Sequence, residues 1–294
     1  MSLPLTILVI ALVVAAAGYY LLTRILPHNI IQPRNWVIDT TPAEYGLPYE
    51  HFRLEVAPDV HLDACFVPVV GTRGRANLIV LHGVGSCKEK YWEYVNLLVR
   101  EGYNVLLWDQ RAHGKSGGDY CTYGYREKHD VAAGLRWLKK KFPELPTGIY
   151  GNSMGGAVAI QALALLPELR FGLIESTFTD LPSVTHAYAR RLAGFAVPRW
   201  LTDLTLRAAG RIADFPAFAV RPVDAAARVT QPIMHLHGDA DASIDVSHAH
   251  RLFAAYGTAD KTLYVVPGGD HADLWERGGA GYREAWFGFL RRAW

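Results

Sequence analysis

Hydrophobic positions fall into three regimes along the chain. From Leu3 to Leu22 the sequence LPLTILVIALVVAAAGYYLL carries no charge, and it has about the 20 apolar residues a helix needs to cross a hydrocarbon core. Tyr19 and Tyr20 close the run with rings suited to a membrane interface, and Arg24 follows. The second regime is alternation. HFRLEVA (51–57) and VHLDACFVP (60–68) place apolar and polar residues in turn around an Asp-containing turn, which predicts an antiparallel hairpin at a sheet edge. The third is a set of short unbroken apolar runs: ANLIVLHG, NVLLWD, TGIYG, FGLIES, PIMHLHG and TLYVVPG. Runs of this kind fit strands buried on both faces of a mainly parallel sheet. Helix-like stretches lie between them near residues 88–101, 124–141, 154–166, 247–256 and 282–293, so the chain reads as βαβ units.

One segment breaks this rhythm. Residues 181–229 include AYARRLAGFAVPRWLTDLTLRAAGRI, amphipathic and rich in aromatics and arginine, and they are too long for an ordinary αβ connection. They predict a short helical cap over the strand ends, with Phe195 and Trp200 against a bound molecule; an ordinary packing helix with a long loop is the alternative. The layout expected is an anchor over residues 1–26, a Pro-containing linker over 27–49 and one α/β domain over 50–294. The run Lys139, Lys140, Lys141 needs no ligand, because cations at a helix C-terminus complement its dipole.

Composition narrows the classes of function. A chain of 294 residues is long enough for one α/β unit plus an anchor, and hydrophobic residues make up 50% of it against 20% charged. A formal net charge of +2, without a basic stripe interleaved with aromatics, argues against nucleic acid as a partner. Cys65, Cys87 and Cys121 are an odd set without metal-ligand or CxxC spacing, so neither a disulfide framework nor a zinc site is expected, and a reducing compartment is mildly favoured. A cleaved signal peptide is the rival to the anchor, since Ala15, Ala16 and Ala17 could supply a small-residue cleavage site. Against it, no Lys or Arg precedes the run, and its apolar character continues past the alanines. Arg24 and Arg34, both after the run, point the remainder of the chain towards the cytoplasm.

The chemistry centres on Gly151-Asn152-Ser153-Met154-Gly155-Gly156, which follows the strand TGIYG and precedes the helical run AVAIQALALL. Strand, tight turn and helix are the context a G-x-S-x-G nucleophile elbow requires. So sharp a turn strains the nucleophile's backbone, and glycines on either side let neighbouring backbone pass. The hydroxyl then projects at a helix N-terminus, where the dipole favours a developing anion.

Five ordered blocks resemble the α/β-hydrolase family from about residue 50 to the C-terminus: HGVGSCKEKYW (82–92), DQRAHGKSGG (109–118), GNSMGG (151–156), LHGDADASI (236–244) and GGDHADLW (268–275). Within that family the chain is similar to the membrane-anchored, small-lidded ABHD/Bem46-like group. The resemblance implies a mostly parallel sheet flanked by helices, and a Ser–Asp–His triad of Ser153, Asp241 and His271. It also implies an oxyanion hole made by the backbone N–H groups of Val84 and Met154. His82 is expected to orient its loop, and Asp109, Arg111 and His113 to hold theirs; that block departs from the family's D-x-R-G-H-G-x-S in having Ala112 where glycine is usual. Asp239 and Glu175 compete with Asp241 for the role of acid. His271 stands out among 12 histidines by lying in the loop after the last strand, beside Gly268 and Gly269.

These roles imply an acyl-enzyme mechanism without metal or organic cofactor. A serine nucleophile argues against haloalkane dehalogenase chemistry. Esters, thioesters and amides all remain open, and an anchor beside an aromatic cap points to a lipid or acylated substrate. The alternatives are a peptidase or amidase of the same fold and a non-catalytic membrane-bound scaffold.

Overall fold

The alternating segments do pair. β1 (Glu50–Ala57) and β2 (Val60–Val67) form an antiparallel hairpin, followed by β3 (Ala76–Leu81), β4 (Tyr103–Trp108), β5 (Thr147–Asn152), β6 (Leu169–Glu175), β7 (Ile233–Gly238) and β8 (Lys261–Val266). The structure is a computed structural model and describes residues 2–33, 36–71 and 74–293; Arg34, invoked above for orientation, lies outside them. The strands make one sheet in the order β1-β2-β4-β3-β5-β6-β7-β8. The hairpin joins antiparallel through β2 and β4, and every other neighbour is parallel.

The N-terminal apolar run is helical from Leu3 to Ile31: α1 (Leu3–Tyr20) passes through a π-helical turn, Leu21–Ile25, into α2 (Leu26–Ile31). None of α1 is buried, whereas Pro27 and Ile31 of α2 are. Two bonds fix this foot to the domain: the Cys121 N–H donates to the Ile31 carbonyl at 2.8 Å and the Tyr123 hydroxyl to that of Ile30 at 2.7 Å. An anchor boundary at residue 26 therefore falls inside a helix. Pro27 signals a stop in sequence because its ring clashes with the preceding turn, but the wider π-helical turn just before it accommodates the ring.

The remaining helices sort by sheet face. On β3, Ile79 and Leu81 pack with α4 (Glu127–Lys141), α5 (Met154–Leu165), α8 (Pro222–Ala226) and α9 (Ser247–Ala255), all introduced after α3 (Trp92–Arg100) in the chain. Leu78 and Val80 face the other way, into a core with α3, α10 (Leu274–Arg277) and α11 (Gly279–Arg292). The period of two in strand side chains thus loads both faces, and each fully buried Leu, Ile or Val contributes about 1.5–3 kcal/mol. The expectation fails at β8. All of its residues but Val266 are half-exposed, because it pairs only with β7 and lies at the sheet edge, so its apolar run marks an edge strand. Cys65, Cys87 and Cys121 are buried free thiols.

The inserted segment forms α6 (Leu181–Ala193) and α7 (Arg199–Ile212). Asp180 caps α6 by accepting the Ser183 N–H at 2.8 Å, and Gly194, at φ +73°, ends it. These two helices share a third apolar core with Ile31, Met154 and Phe178. By contrast α8 belongs to the core beside α5, so the covering part of the insertion is shorter than 181–229.

Ala112 has φ +59°, a left-handed conformation costing an L-residue about 1–2 kcal/mol. Ala112→Gly should therefore stabilise the fold by about 1 kcal/mol, after subtracting the greater chain entropy of glycine when unfolded. Paired urea unfolding curves would show it as a higher midpoint at unchanged slope.

Candidate active site

Loops at the C-terminal ends of the parallel strands bring the chemistry together, as expected for an α/β sheet. Ser153 lies between β5 and α5 with φ +54° and ψ −118°. Two glycines make this turn possible. A Cβ on Gly151 would lie 2.2 Å from the Gly155 carbonyl oxygen, and one on Gly155 would lie 2.2 Å from that of Leu81. The turn is held by the Ser153 N–H donating to the Glu175 carbonyl at 2.8 Å and by the Thr177 hydroxyl donating to the Ser153 carbonyl at 2.6 Å.

His271 reaches Ser153 from the loop after β8: its Nε2 is 3.1 Å from Ser153 Oγ and its Nδ1 is 2.7 Å from Asp241 Oδ2. Because a carboxylate only accepts, Nδ1 carries the proton and Nε2 is the acceptor for the serine hydroxyl. Asp241 is buried, and its other oxygen accepts the N–H groups of Ser243 and Ile244, each at 2.8 Å. Burial pushes this carboxyl up, but hydrogen bonds from His237 and His271 and the Ile244 N–H outweigh it and hold Asp241 well below the usual carboxylate range. Asp241 is thus an anion against the imidazole, and the arrangement can move a proton from Ser153 Oγ to His271.

The competing acids sit elsewhere. Asp239 is exposed and accepts the Gly268 N–H at 2.6 Å, bracing the turn before His271. Glu175 is enclosed by the Tyr282 hydroxyl at 2.6 Å, the Tyr150 hydroxyl at 3.2 Å and Asn152 Nδ2 at 3.0 Å. Burial raises its pKa against those hydrogen bonds. Asp270, which sequence reasoning passed over, joins the two loops: its Oδ1 accepts from Ala242 N at 2.9 Å and His271 N at 2.8 Å.

Around Val84, His82 donates from Nδ1 to the Gly83 carbonyl and accepts the Gln110 N–H at Nε2. His113 likewise donates to the Arg111 carbonyl and accepts the Gly85 N–H at 3.0 Å. Burial holds the His82 pKa down at about 3, so its ring is neutral. Arg111 pairs with Asp130 through two bonds of 2.7 and 2.6 Å. Beneath lies a residue that sequence reading missed. Asp63, Glu89 and Asp109 converge as ligands of a divalent cation would, but the Lys88 ammonium already sits among them, at 2.5, 2.7 and 3.0 Å respectively. A lone lysine in a polar run gives no sequence signal of such burial.

A cavity of about 610 Å³ opens over Ser153, with Val84 and Met154 in its floor. Met154 is the first residue of α5, so its N–H has no intrahelical acceptor. Val184, Tyr188 and Leu192 of α6 and Leu201 of α7 form the roof, and Leu22, Leu26 and Ile30 from the foot of the N-terminal helix form one wall. Phe195 and Trp200, expected against a ligand, do not line this cavity. They are exposed at the α6–α7 turn, since Gly194 ends α6 before Phe195 can turn inwards.

The profile of the family "Serine aminopeptidase, S33" matches residues 72–203. The α/β-hydrolase domain-containing protein WAV2 of Arabidopsis thaliana is 26% identical over 263 residues, covering 86% of this chain and 82% of its own. A monoglyceride lipase of Rattus norvegicus is 26% identical over 228 residues, covering 67% and 75%. The Pyrococcus furiosus esterase Pf2001 superposes with a TM-score of 0.73 at 26% identity, over 89% of this chain and 99% of that one. The chain belongs to the α/β-hydrolase superfamily. In this hydrolase the strand order, the elbow after β5 and the loops after β7 and β8 supply the framework that the five sequence blocks implied.

Lys88→Met should destabilise the hydrolase by about 3–5 kcal/mol, because three carboxylates, those of Glu89 and Asp109 buried and that of Asp63 partly so, lose their shared cation. Urea unfolding followed by circular dichroism measures this directly.

Proposed function

We propose that the chain is a membrane-anchored serine hydrolase that cleaves carboxylic esters through Ser153, His271 and Asp241. The observation that carries this reading is the chain of contacts from Ser153 Oγ to His271 Nε2 and from His271 Nδ1 to Asp241. As Ser153 Oγ attacks the acyl carbon, its proton passes to His271, and the N–H groups of Val84 and Met154 receive the carbonyl oxygen as it becomes an oxyanion. The leaving alcohol takes the proton from His271; water, deprotonated by the same nitrogen, then releases the acid from the acyl-enzyme. Asp241 keeps the imidazole in the needed tautomer.

The substrate class rests on the cavity and the relatives. The lining is mostly apolar and contains no Asp, Glu, Lys, Arg or His among the described residues, which suits an acyl chain. An aminopeptidase, suggested by the family description, needs an anionic group to meet a free α-amino group, and this wall offers none. The named relatives include a monoglyceride lipase and an esterase, which supports a lipid ester over an amide; a non-catalytic scaffold would have no need of the three aligned side chains. For the anchor, the helix runs unbroken through Ala15–Ala17 into the packed foot. Exposed Arg24 at that foot favours a cytoplasmic catalytic domain.

Ser153→Ala should abolish fluorophosphonate labelling and ester hydrolysis without altering the circular dichroism spectrum; a labelled mutant would dismiss Ser153 as nucleophile. Asp241→Asn should lower kcat/KM by about 10³–10⁴-fold, as expected when the orienting acid is lost, and Asp239→Asn by much less. The reverse ranking would reassign the acid. Intact-mass measurement on protein taken from membranes should find residues 1–17 still attached; a chain beginning at Gly18 would identify a cleaved signal.

A further inference from the structure

The base of the N-terminal helix is more than a tether. Leu22 and Leu26 border the same cavity as Ser153, and Leu192, Val197 and Leu201 of the α6–α7 region line it with them. The foot itself is fixed to the domain through Ile30 and Ile31, and Tyr19 and Tyr20 lie exposed just before it. If α1 spans the bilayer, this tyrosine pair sits at headgroup level, and the cavity mouth is held there with it. The α6–α7 turn beside that mouth has an interfacial composition: Leu192, Phe195 and Trp200 are 84%, 68% and 65% exposed, and Arg190, Arg191 and Arg199 are exposed among them. Apolar and aromatic side chains mixed with arginine favour the boundary between headgroups and acyl chains, and Trp200 is unexplained by packing inside the domain.

Building on the ester-hydrolase reading, we infer that the anchor foot and the α6–α7 turn form a cavity mouth seated in the membrane interface. Through it a single-chain amphiphilic ester passes from the bilayer to Ser153 without crossing water. The foot is then a wall of the acyl site, and Phe195 and Trp200 hold the turn in the lipid.

The test uses the full-length protein in vesicles of phosphatidylcholine with a minor share of phosphatidylglycerol. Single cysteines are introduced as Phe195→Cys, Trp200→Cys and, as a control, Leu165→Cys at the far end of α5, and labelled with a nitrobenzoxadiazole fluorophore; the native thiols are buried. Doxyl-labelled lipid should quench the first two sites and spare the control. Quenching no greater than at residue 165 overturns the proposal, as does a label shielded from water but untouched by lipid, which would mark a protein interface. In the same vesicles Phe195→Asp with Trp200→Asp should slow hydrolysis of a long-chain monoacylglycerol roughly tenfold or more, about 1.4 kcal/mol or above, and leave p-nitrophenyl acetate within about twofold, since neither residue lines the cavity. Loss on neither substrate, or equal loss on both, overturns it. Leu26→Trp, which fills the cavity from the anchor side, should shift the preferred acyl chain shorter, and an unmoved preference removes the foot from the site. Wild-type protein inert towards every ester would instead defeat the ester-hydrolase reading, leaving lipid quenching to decide where the mouth lies.

Discussion

Everything at the site depends on three backbone segments passing closer than any side chain permits. The Gly155 carbonyl approaches Gly151, and the Leu81 carbonyl approaches Gly155, at separations that a single Cβ would close to 2.2 Å. This crossing lets β5 turn at once into α5. Ser153, in the bend, is left with positive φ and its hydroxyl above the sheet. Such strain persists only where the surroundings over-determine it, and here the Glu175 and Thr177 bonds to the Ser153 backbone do so.

Around that bend, charge is handled in two contrasting ways. Asp241 is buried yet kept ionised by convergent donors, whereas Glu175, paired with Asn152 on the neighbouring strand, is buried and driven towards its neutral form. The first arrangement maintains an anion where an imidazole can use it. The second knits β5, β6 and α11 together through Tyr150 and Tyr282. Lys88 repeats the logic with opposite sign, gathering three carboxylates beneath the loop that carries Val84.

Much of this was legible in the residues themselves, for identifiable reasons. The hairpin and the parallel strands follow from local periodicity, and the elbow from a glycine pattern set between a strand and a helix. The family resemblance aligns Asp241 rather than Asp239 with the triad acid, and in the structure Asp241 lies against His271 while Asp239 accepts the Gly268 N–H. What escaped depends on distant packing. An apolar run such as TLYVVPG does not say whether it has one neighbouring strand or two. Phe195 and Trp200 have the right composition for a pocket, but both are exposed, Phe195 just past the turn at Gly194 and Trp200 in the first turn of α7. The part played by Leu22, Leu26 and Ile30 depends on α7 folding back against the helix foot, which no local pattern encodes.

The three cysteines have a consequence for the environments the fold can tolerate. Burial pushes the Cys65 thiol up to about 12 and the Cys87 thiol up to about 11, and it raises Cys121 well above the ordinary thiol value. Thiolates are the species that oxidants and exchanging disulfides attack, so at physiological pH these sulfurs stay protonated and enclosed. Stability therefore does not lean on a cross-link that a reducing compartment would break, and no reactive thiol is offered to an oxidising one. The fold needs no disulfide on either side of a bilayer, and its integrity rests on packing together with buried hydrogen bonds and the Lys88 ion cluster.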